Sequence, residues 1–365
     1  MYDFNIIKTN KLSNKSYRVA KICDQFDLDK DSYNEEFIGN IETPKEWSIG
    51  VIVGKSGTGK TSIAKEMFNI NKYKYSSSSV VDDFEKKVGM QMIFKTLSSV
   101  GFSSPPSWLK PYSVLSNGEK MRVDLARAIC QDKGIIAFDE FTSVVDREVA
   151  QIGSLAVQKA IRKSGKKFVA ISCHFDILEW LQPDWIFSTD VMSNLSRGSL
   201  QQRPEIKIDI KRIKGYWGMF KKYHYLNHEL NNSAHQYVGF YKNKPICFCG
   251  VICMPHPKHG ATWKIHRIVV LPDYQGVGIG VRMLDIIAEF YTGYFGIVTS
   301  LNGFAQSLMK NKKWSLTRMG KTSPNKGMKS MNKTLSSKRN TYSFRYNYKL
   351  LEKPIKTGEV NGDAK

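Results

Sequence analysis

The sequence predicts an α/β fold divided into two domains, and three observations carry that prediction. The chain has 365 residues, and single hydrophobic cores rarely grow past ~250–300 residues. A first glycine-rich loop, Gly54-Lys55-Ser56-Gly57-Thr58-Gly59-Lys60-Thr61, stands between an apolar run at 48–53 and a helical pattern from Ser62. A second, Gln275-Gly276-Val277-Gly278-Ile279-Gly280, follows another apolar run and opens an amphipathic helix. Each loop leads a strand into a helix N-terminus, where backbone N–H groups converge on anionic oxygens.

The first loop fits the P-loop pattern G-x-x-x-x-G-K-[ST] at every constrained position. Its glycines, with Ser56 and Thr58 between them, let phosphate oxygens approach the backbone. Lys60 supplies charge for the β- and γ-phosphates, and the Thr61 hydroxyl is a ligand for Mg²⁺. ATP and Mg²⁺ are the expected cofactors.

Composition sets the setting. Apolar residues make up 41% of the chain, ample for globular cores, yet no run of ~18 of them reads as a membrane span. The start, Met1-Tyr2-Asp3-Phe4-Asn5, carries no apolar signal segment. Cys23, Cys130, Cys173, Cys247, Cys249 and Cys253 form no C-x-x-C pair, which predicts reduced thiols and a cytoplasmic protein. The formal charge of +22 calls for a polyanionic partner or a highly soluble surface.

Before the P-loop, Ser16–Cys23 alternates polar and apolar residues and reads as a half-buried strand. Tyr17, Tyr33 and Trp47 are the candidates for stacking on adenine. Beyond the loop, Gln91 lies in a helical stretch, and Leu115-Ser116-Asn117-Gly118-Glu119-Lys120 runs straight into another helix. Ile135–Phe138 is an apolar strand ending in Asp139-Glu140. Ser143-Val144-Val145-Asp146 follows, and a later strand, Phe168–Cys173, ends at His174.

This series resembles the ABC-type ATPases over residues 1–190, with Asn117 and Glu119 departing from the usual L-S-G-G-Q signature. The resemblance implies that Asp139 holds the Mg²⁺ shell, Glu140 polarises the attacking water and His174 senses the γ-phosphate. It places Gln91 at the metal, where an ordinary surface glutamine is the competing reading. Ser116 and Gly118 would complete the ATP site of a second copy, so a homodimer through this domain is implied. Only 53 residues separate Thr61 from Leu115, short for the helical subdomain that docks transporters on membrane helices.

The ATPase domain is assigned to residues 1–192, and the polar, aperiodic stretch 193–204 reads as a linker. The second domain takes 205–350, with 351–365 as a tail. In it, Glu205–Ile210 alternates as a strand, and two further strands meet at a Lys-Asn-Lys turn. Trp263–Val270 then leads through Leu271-Pro272-Asp273-Tyr274 to the second loop. The helix that follows is expected to bury Met283, Leu284 and Ile287 and to turn Arg282, Asp285 and Glu289 to water.

The segment 205–320 resembles the GNAT-family acyltransferases, which implies an α+β domain with a mixed central sheet and a site for acetyl-CoA or another acyl-CoA. Val269, Val270, Gln275, Gly276, Val277, Gly278, Ile279 and Gly280 would line it. Asn302 and Ala305 match a later family helix, but Met309 stands where the family presents a tyrosine that protonates the leaving thiolate. Tyr291 and Tyr294 are substitutes. His266 is a candidate base, with a core role as the alternative. His224 with His228, and His256 with His259, lack a third ligand for a tetrahedral metal site.

From Lys310 to Lys353 the chain holds 13 Lys and Arg against one acid, Glu352, with Trp314, Tyr342, Phe344, Tyr346 and Tyr348 interleaved. Cations meet phosphates and rings stack on bases, so nucleic acid is the expected partner. Thr341–Leu350 alternates as a final strand. A phage DNA-modifying protein is also GNAT-like, which directs the expectation to base modification and to a phage or mobile-element type. The alternatives are a small-molecule or protein acetyltransferase with a regulatory ATPase, and a non-catalytic ATP-driven nucleic-acid clamp.

Overall fold

The computed structural model describes residues 2–11, 16–26, 32–68, 70, 72–132, 134–196, 206–224, 229–256, 260–321 and 340–348. It divides into two compact units. The first comprises Met1–Ile206 with the hexapeptide Pro272–Val277; the second comprises Lys207–Leu271 and Gly278–Lys365.

The first unit opens with β1 (Tyr2–Lys11), α1 (Tyr17–Phe26) and β2 (Ser32–Ile41), in which β1 and β2 pair antiparallel from Tyr2↔Ile41 to Lys11↔Ser32. The strand expected at Ser16–Cys23 is therefore a helix. Val19, Ala20 and Cys23 are its less exposed positions, a spacing of one and three that fits a helical face and breaks a period of two. Then come β3 (Ile49–Val53), α2 (Lys60–Met67), α3 (Met90–Ser99), α4 (Pro105–Trp108) and α5 (Asn117–Gln131). The unit continues with β4 (Ile135–Phe138), α6 (Arg147–Ser164), β5 (Lys167–Ser172), α7 (Ile177–Leu181), β6 (Trp185–Ser188) and β7 (Ser193–Asn194).

These strands form a sheet in the order β4-β5-β3-β6-β7, parallel except for β7. Every residue of β3 is buried, as expected of a strand covered on both faces. Gly50 is required there, because a Cβ would fall 2.0 Å from the Trp185 indole. Ser193-Asn194, read as the start of the linker, instead closes the sheet edge; the Asn194 side chain also ties down both the N–H and the carbonyl of Glu42. Residues 197–204 of that stretch lie outside the described residues. Arg122 of α5 is fully buried and donates to the carbonyls of Pro272 (2.5 Å) and Asp273 (2.7 Å), while burial pushes its pKa down to about 10.

The second unit contains β8 (Asp209–Arg212), α8 (Trp217–Phe220), β9 (His235–Tyr241), β10 (Lys244–His256) and β11 (Gly260–Val270). It ends with α9 (Ile279–Glu289), β12 (Tyr294–Thr299), α10 (Asn302–Met309), β13 (Trp314–Lys321) and β14 (Asn340–Tyr346). The sheet order is β13-β14-β12-β11-β10-β9-β8, and it is mixed: β11 and β12 are parallel, all other neighbours antiparallel. Lys242 (φ 48°) and Asn243 (φ 63°) make the tight turn between β9 and β10, the left-handed pair that a two-residue hairpin favours.

On α9, Met283, Leu284 and Ile287 are buried as expected. Asp285, expected to face water, is half-buried instead: it accepts from the Trp314 indole N–H at 2.7 Å and from the Asn311 amide. The final strand falls at 340–346, overlapping the predicted stretch 341–350, and β13 forms its partner.

Candidate functional site

In the first unit the sheet order sets β3, β5 and β4 side by side, so the chain leaving each strand emerges at one edge. Such carboxyl ends are where open α/β sheets hold ligands. The P-loop follows β3. Gly54 (φ 157°), Gly57 (φ 86°) and Gly59 (φ 84°) take positive φ, and Gly59 is the N-cap of α2 with no side chain capping it. The first N–H groups of α2 are thus free of side-chain acceptors and open to an anion. Lys60 Nζ donates to the Lys55 carbonyl at 2.5 Å, folding the ammonium back over the loop. Asp190 holds the Lys55 N–H, and the Thr58 hydroxyl reaches the Lys55 carbonyl at 2.8 Å.

The Thr61 hydroxyl donates to Asp139 Oδ1 at 3.1 Å, across 78 residues of sequence. The same oxygen accepts the Glu140 N–H at 3.0 Å. Two hard oxygen donors side by side are what Mg²⁺ takes, so Thr61 and Asp139 fit that ion and would hold it against phosphate. Glu140 has a left-handed backbone (φ 53°), a conformation uncommon for non-glycine residues and frequent at functional positions. His174 follows β5, with its N–H on the Ser172 hydroxyl at 3.1 Å. Gln91 is exposed in the first turn of α3.

Ser116 is the N-cap of α5. Its hydroxyl accepts the Glu119 N–H at 3.2 Å, and the Glu119 carboxylate accepts the Ser116 N–H at 3.0 Å. That reciprocal capping box gives Glu119 a structural role at the start of the helix. Asn117, the other departure, ties its amide to the Val144 carbonyl. Ser116 is exposed and Gly118 buried, with room for no Cβ beyond 3.0 Å of Val149.

None of the described adenine candidates lies against the loop. Tyr17 stands 79% exposed on α1, and Trp47 is buried edge-on to Trp185; the Tyr33 side chain lies outside the described residues. The ring that does touch the loop is Phe37 of β2: a Cβ on Gly59 would fall 2.5 Å from it. Only the pairing of β1 with β2 selects this position, because Phe37 and Ile38 are adjacent apolar residues and the sequence does not mark which of them meets the loop.

In the second unit Gly278 (φ 98°) is the N-cap of α9, again with no side-chain cap. Gly280, the second residue of α9, faces Phe304 and Val270. Val269 is buried in the core and Val270 is half-buried. Gln275, Gly276 and Val277 belong to the first unit, where Gln275 accepts the Ser103 N–H at 2.6 Å and a Cβ on Gly276 would meet Ala156 at 2.9 Å. Packing therefore already accounts for Gln275 and Gly276, leaving Gly278, Ile279 and Gly280 as the part of the loop that begins α9. The N–H groups there fit a pyrophosphate.

β11 and β12 are paired only at Thr262–Lys264 with Tyr294–Gly296, toward their N-terminal ends. Past that point the two parallel strands part. His266 lies just beyond the last paired residue and is the extra residue of a bulge against β10, where Gly250 faces Arg267 and Val251 faces Ile265. Burial and then the neighbouring Arg267 charge push its pKa down to about 4, and its buried Nδ1 has no hydrogen-bond partner among the described residues.

Both substitutes for the missing tyrosine lie at the wrong end of the strands. Tyr291 is buried next to Trp263 near the start of β11, and Tyr294 begins β12 opposite Thr262. Met309 is 43% exposed at the end of α10. Tyr342, which sequence reasoning placed in the basic tail, pairs with Thr299 at the open end of β12; its hydroxyl stands 3.5 Å from the Asn302 amide oxygen at the start of α10. His224 is buried against Trp217, while His228, His259 and the side chain of His256 lie outside the described residues, as do 322–339 and 349–365 of the basic stretch.

Residues 202–311 match the acetyltransferase (GNAT) family. The C-terminal half carries a GNAT acetyltransferase domain. Solved structures similar to the N-terminal half include the dimeric form of a bacterial ABC transporter cassette, at 14% identity over 51% of this chain and 92% of that one, with a TM-score of 0.35. Similar to the C-terminal half is an IAA acetyltransferase from Bacillus cereus, at 15% identity over 38% of this chain and 99% of that one, TM-score 0.29. Another is Arabidopsis thaliana Naa50 in complex with a bisubstrate analogue, at 13% identity, 39% and 99% coverage and TM-score 0.29. Among the described residues, no helix is long and apolar enough to cross a membrane.

Proposed function

We propose that this chain is an ABC-type ATP hydrolase joined to an acyl-CoA-dependent N-acyltransferase that modifies nucleic acid. The observation that carries the reading is a repeated one: both glycine loops end in a left-handed glycine that starts an uncapped helix, Gly59 for α2 and Gly278 for α9. In the first, Lys60 and the α2 N–H groups bind the ATP phosphates; Thr61 and Asp139 would hold Mg²⁺, which would supply charge neutralisation at the phosphates. Glu140 orients and deprotonates the water, His174 contacts the γ-phosphate and Phe37 stacks on adenine. Ser116 completes the site of a second copy, making a homodimer.

In the second unit the α9 N-terminus holds the pyrophosphate of coenzyme A, and the parting of β11 from β12 admits its thioester arm. His266, kept neutral by burial, accepts a proton from the attacking amine. Tyr342 is the proton donor for the departing thiolate in place of Met309. The nucleic-acid acceptor rests on the charge of +22 and on the cation-rich, aromatic C-terminal stretch. Mass spectrometry of nucleosides digested from cells expressing the protein tests it. An acyl adduct absent from a Gly278→Val strain supports the reading; unmodified nucleosides, with acetyl-CoA consumed on a small amine or a protein, overturn it.

A further inference from the structure

The second unit holds a cavity that the acyl-transfer reading does not use. It has a volume of about 500 Å³ and opens beside the N-terminal end of β11, whereas Gly278 follows that strand's other end. That is within the ~300–1,000 Å³ typical of small-molecule sites. Its floor is a cluster of rings. Tyr291 and Trp263 lie 4.6 Å apart, and His235 is 5.1 Å from Trp263 and stacked on Tyr291 at 5.9 Å. Tyr237 stacks on Phe290, which remains 59% exposed just past the end of α9. A phenylalanine so exposed beside a half-buried tryptophan offers a π-face to a planar ligand.

The polar groups of the cavity narrow the ligand class. The Tyr291 hydroxyl meets both His235 Nδ1 (2.8 Å) and the Tyr237 hydroxyl (2.9 Å). Each hydroxyl can donate or accept, and the imidazole can change tautomer, so this chain adapts to either edge pattern of a base. Arg212 of β8 lines the rim, and the charges of Arg212 and Lys214 add to burial in holding His235 below its usual pKa. Those two positive charges disfavour a quaternary ammonium, the other ligand that aromatic cages take, and favour an anion on the ring-bearing ligand.

We infer that this cavity is a mononucleotide site, with the base held by Trp263, Phe290 and the tyrosines and the phosphate by Arg212. The nucleotide is either free or one unit of a single strand, since both present a base with an adjacent phosphate. The site is separate from acyl transfer and stands or falls without it.

The test uses the full chain with the P-loop filled by a non-hydrolysable ATP analogue and the acyltransferase site by coenzyme A. Thymidine 5′-monophosphate, thymidine and a short oligothymidylate are titrated by calorimetry. Saturable binding of the monophosphate is expected, with thymidine weaker by roughly tenfold, and Phe290→Ala should weaken both by roughly tenfold through lost stacking. Arg212→Gln should bring the monophosphate down to the level of thymidine and leave thymidine unchanged. Phe290 and Arg212 are exposed, so both variants should fold; a melting curve like wild type checks this. If the oligothymidylate binds more tightly than the monophosphate and loses that affinity in the same variants, the ligand is a strand. If it binds no better, the ligand is a free nucleotide. Absence of saturable monophosphate binding, or binding indifferent to both substitutions, overturns the site.

Discussion

The two glycine loops solve one electrostatic problem with different equipment. Each ends in a left-handed glycine, φ 84° at Gly59 and φ 98° at Gly278, and each leaves its helix without a side-chain cap. At the first, a lysine, a hydroxyl and a carboxylate converge: Lys60 folds over the loop, and Thr61 meets Asp139 at 3.1 Å. At the helix start after Gly278 the residues are Ile279, Gly280 and Val281, and the first charged side chain, Arg282, comes only at the fourth position. The first loop is equipped to bind and to react with a phosphate chain. On the proposed reading the second grips a phosphate without reacting with it, and the acyl-transfer chemistry would come from the parted strands β11 and β12. Backbone N–H groups suffice for an anion that stays intact, whereas phosphoryl transfer also needs charge where negative charge develops.

The comparison is broken most severely at Glu140. Glu140→Gln should lower phosphate release by ~10²-fold or more, as loss of a general base does, while ATP binding by calorimetry stays near wild type. Gel filtration with ATP should then show a trapped dimer, and a monomer at saturating ATP would sink the shared-site arrangement. At the second loop the sensitive property is shape. Gly278→Val puts a β-branched side chain at φ 98°, where only glycine is comfortable, and should weaken acetyl-CoA binding by ~10²-fold if two or three backbone hydrogen bonds to the phosphate are lost. ATP hydrolysis should be unchanged; equal loss of both activities would mean the variant has unfolded.

Tyr342→Phe sharpens the assignment of chemistry to the strands. A proton donor contributes ~10²-fold or more, so kcat for acyl transfer should fall by about that factor with KM for acetyl-CoA nearly constant. Met309→Ala should do neither. Transfer that survives Tyr342→Phe would return the leaving-group proton to solvent.

The smallest effect concerns pH. His266 titrates at about 4 in the folded chain against 6.5 when unperturbed. Below 6.5 the unfolded chain binds the extra proton first, so its contribution to stability is complete above pH 6.5 and is lost as pH falls toward 4. His266→Gln should flatten the melting temperature over that window relative to wild type. Parallel wild-type and variant profiles would show that the imidazole is solvated, and its role as a base would lose its support.

The elements around the two glycine loops were legible in the chain. The two loops, the Asp139-Glu140 strand end, the Lys242-Asn243 turn and the buried face of α9 announce themselves by local rules: glycine where φ is positive, apolar runs for buried strands, helical spacing for an amphipathic helix. Local pattern failed where two periods fit the same letters, as at Ser16–Cys23. It also failed where a strand was too short to signal itself, as at Ser193-Asn194.

What the tertiary structure alone decided was which distant residues meet. Phe37 reaches Gly59 through the register of β1 with β2, and Thr61 reaches Asp139 because β3 and β4 flank β5. Tyr342 moves from a basic tail to the open end of β12 because β14 inserts between β12 and β13. Asp285 changes from a water-facing acid to an acceptor for the Trp314 indole for the same kind of reason. Sequence period fixes the face a side chain takes within its own element, while strand order and register fix its neighbours, and those depend on pairings between residues tens of positions apart.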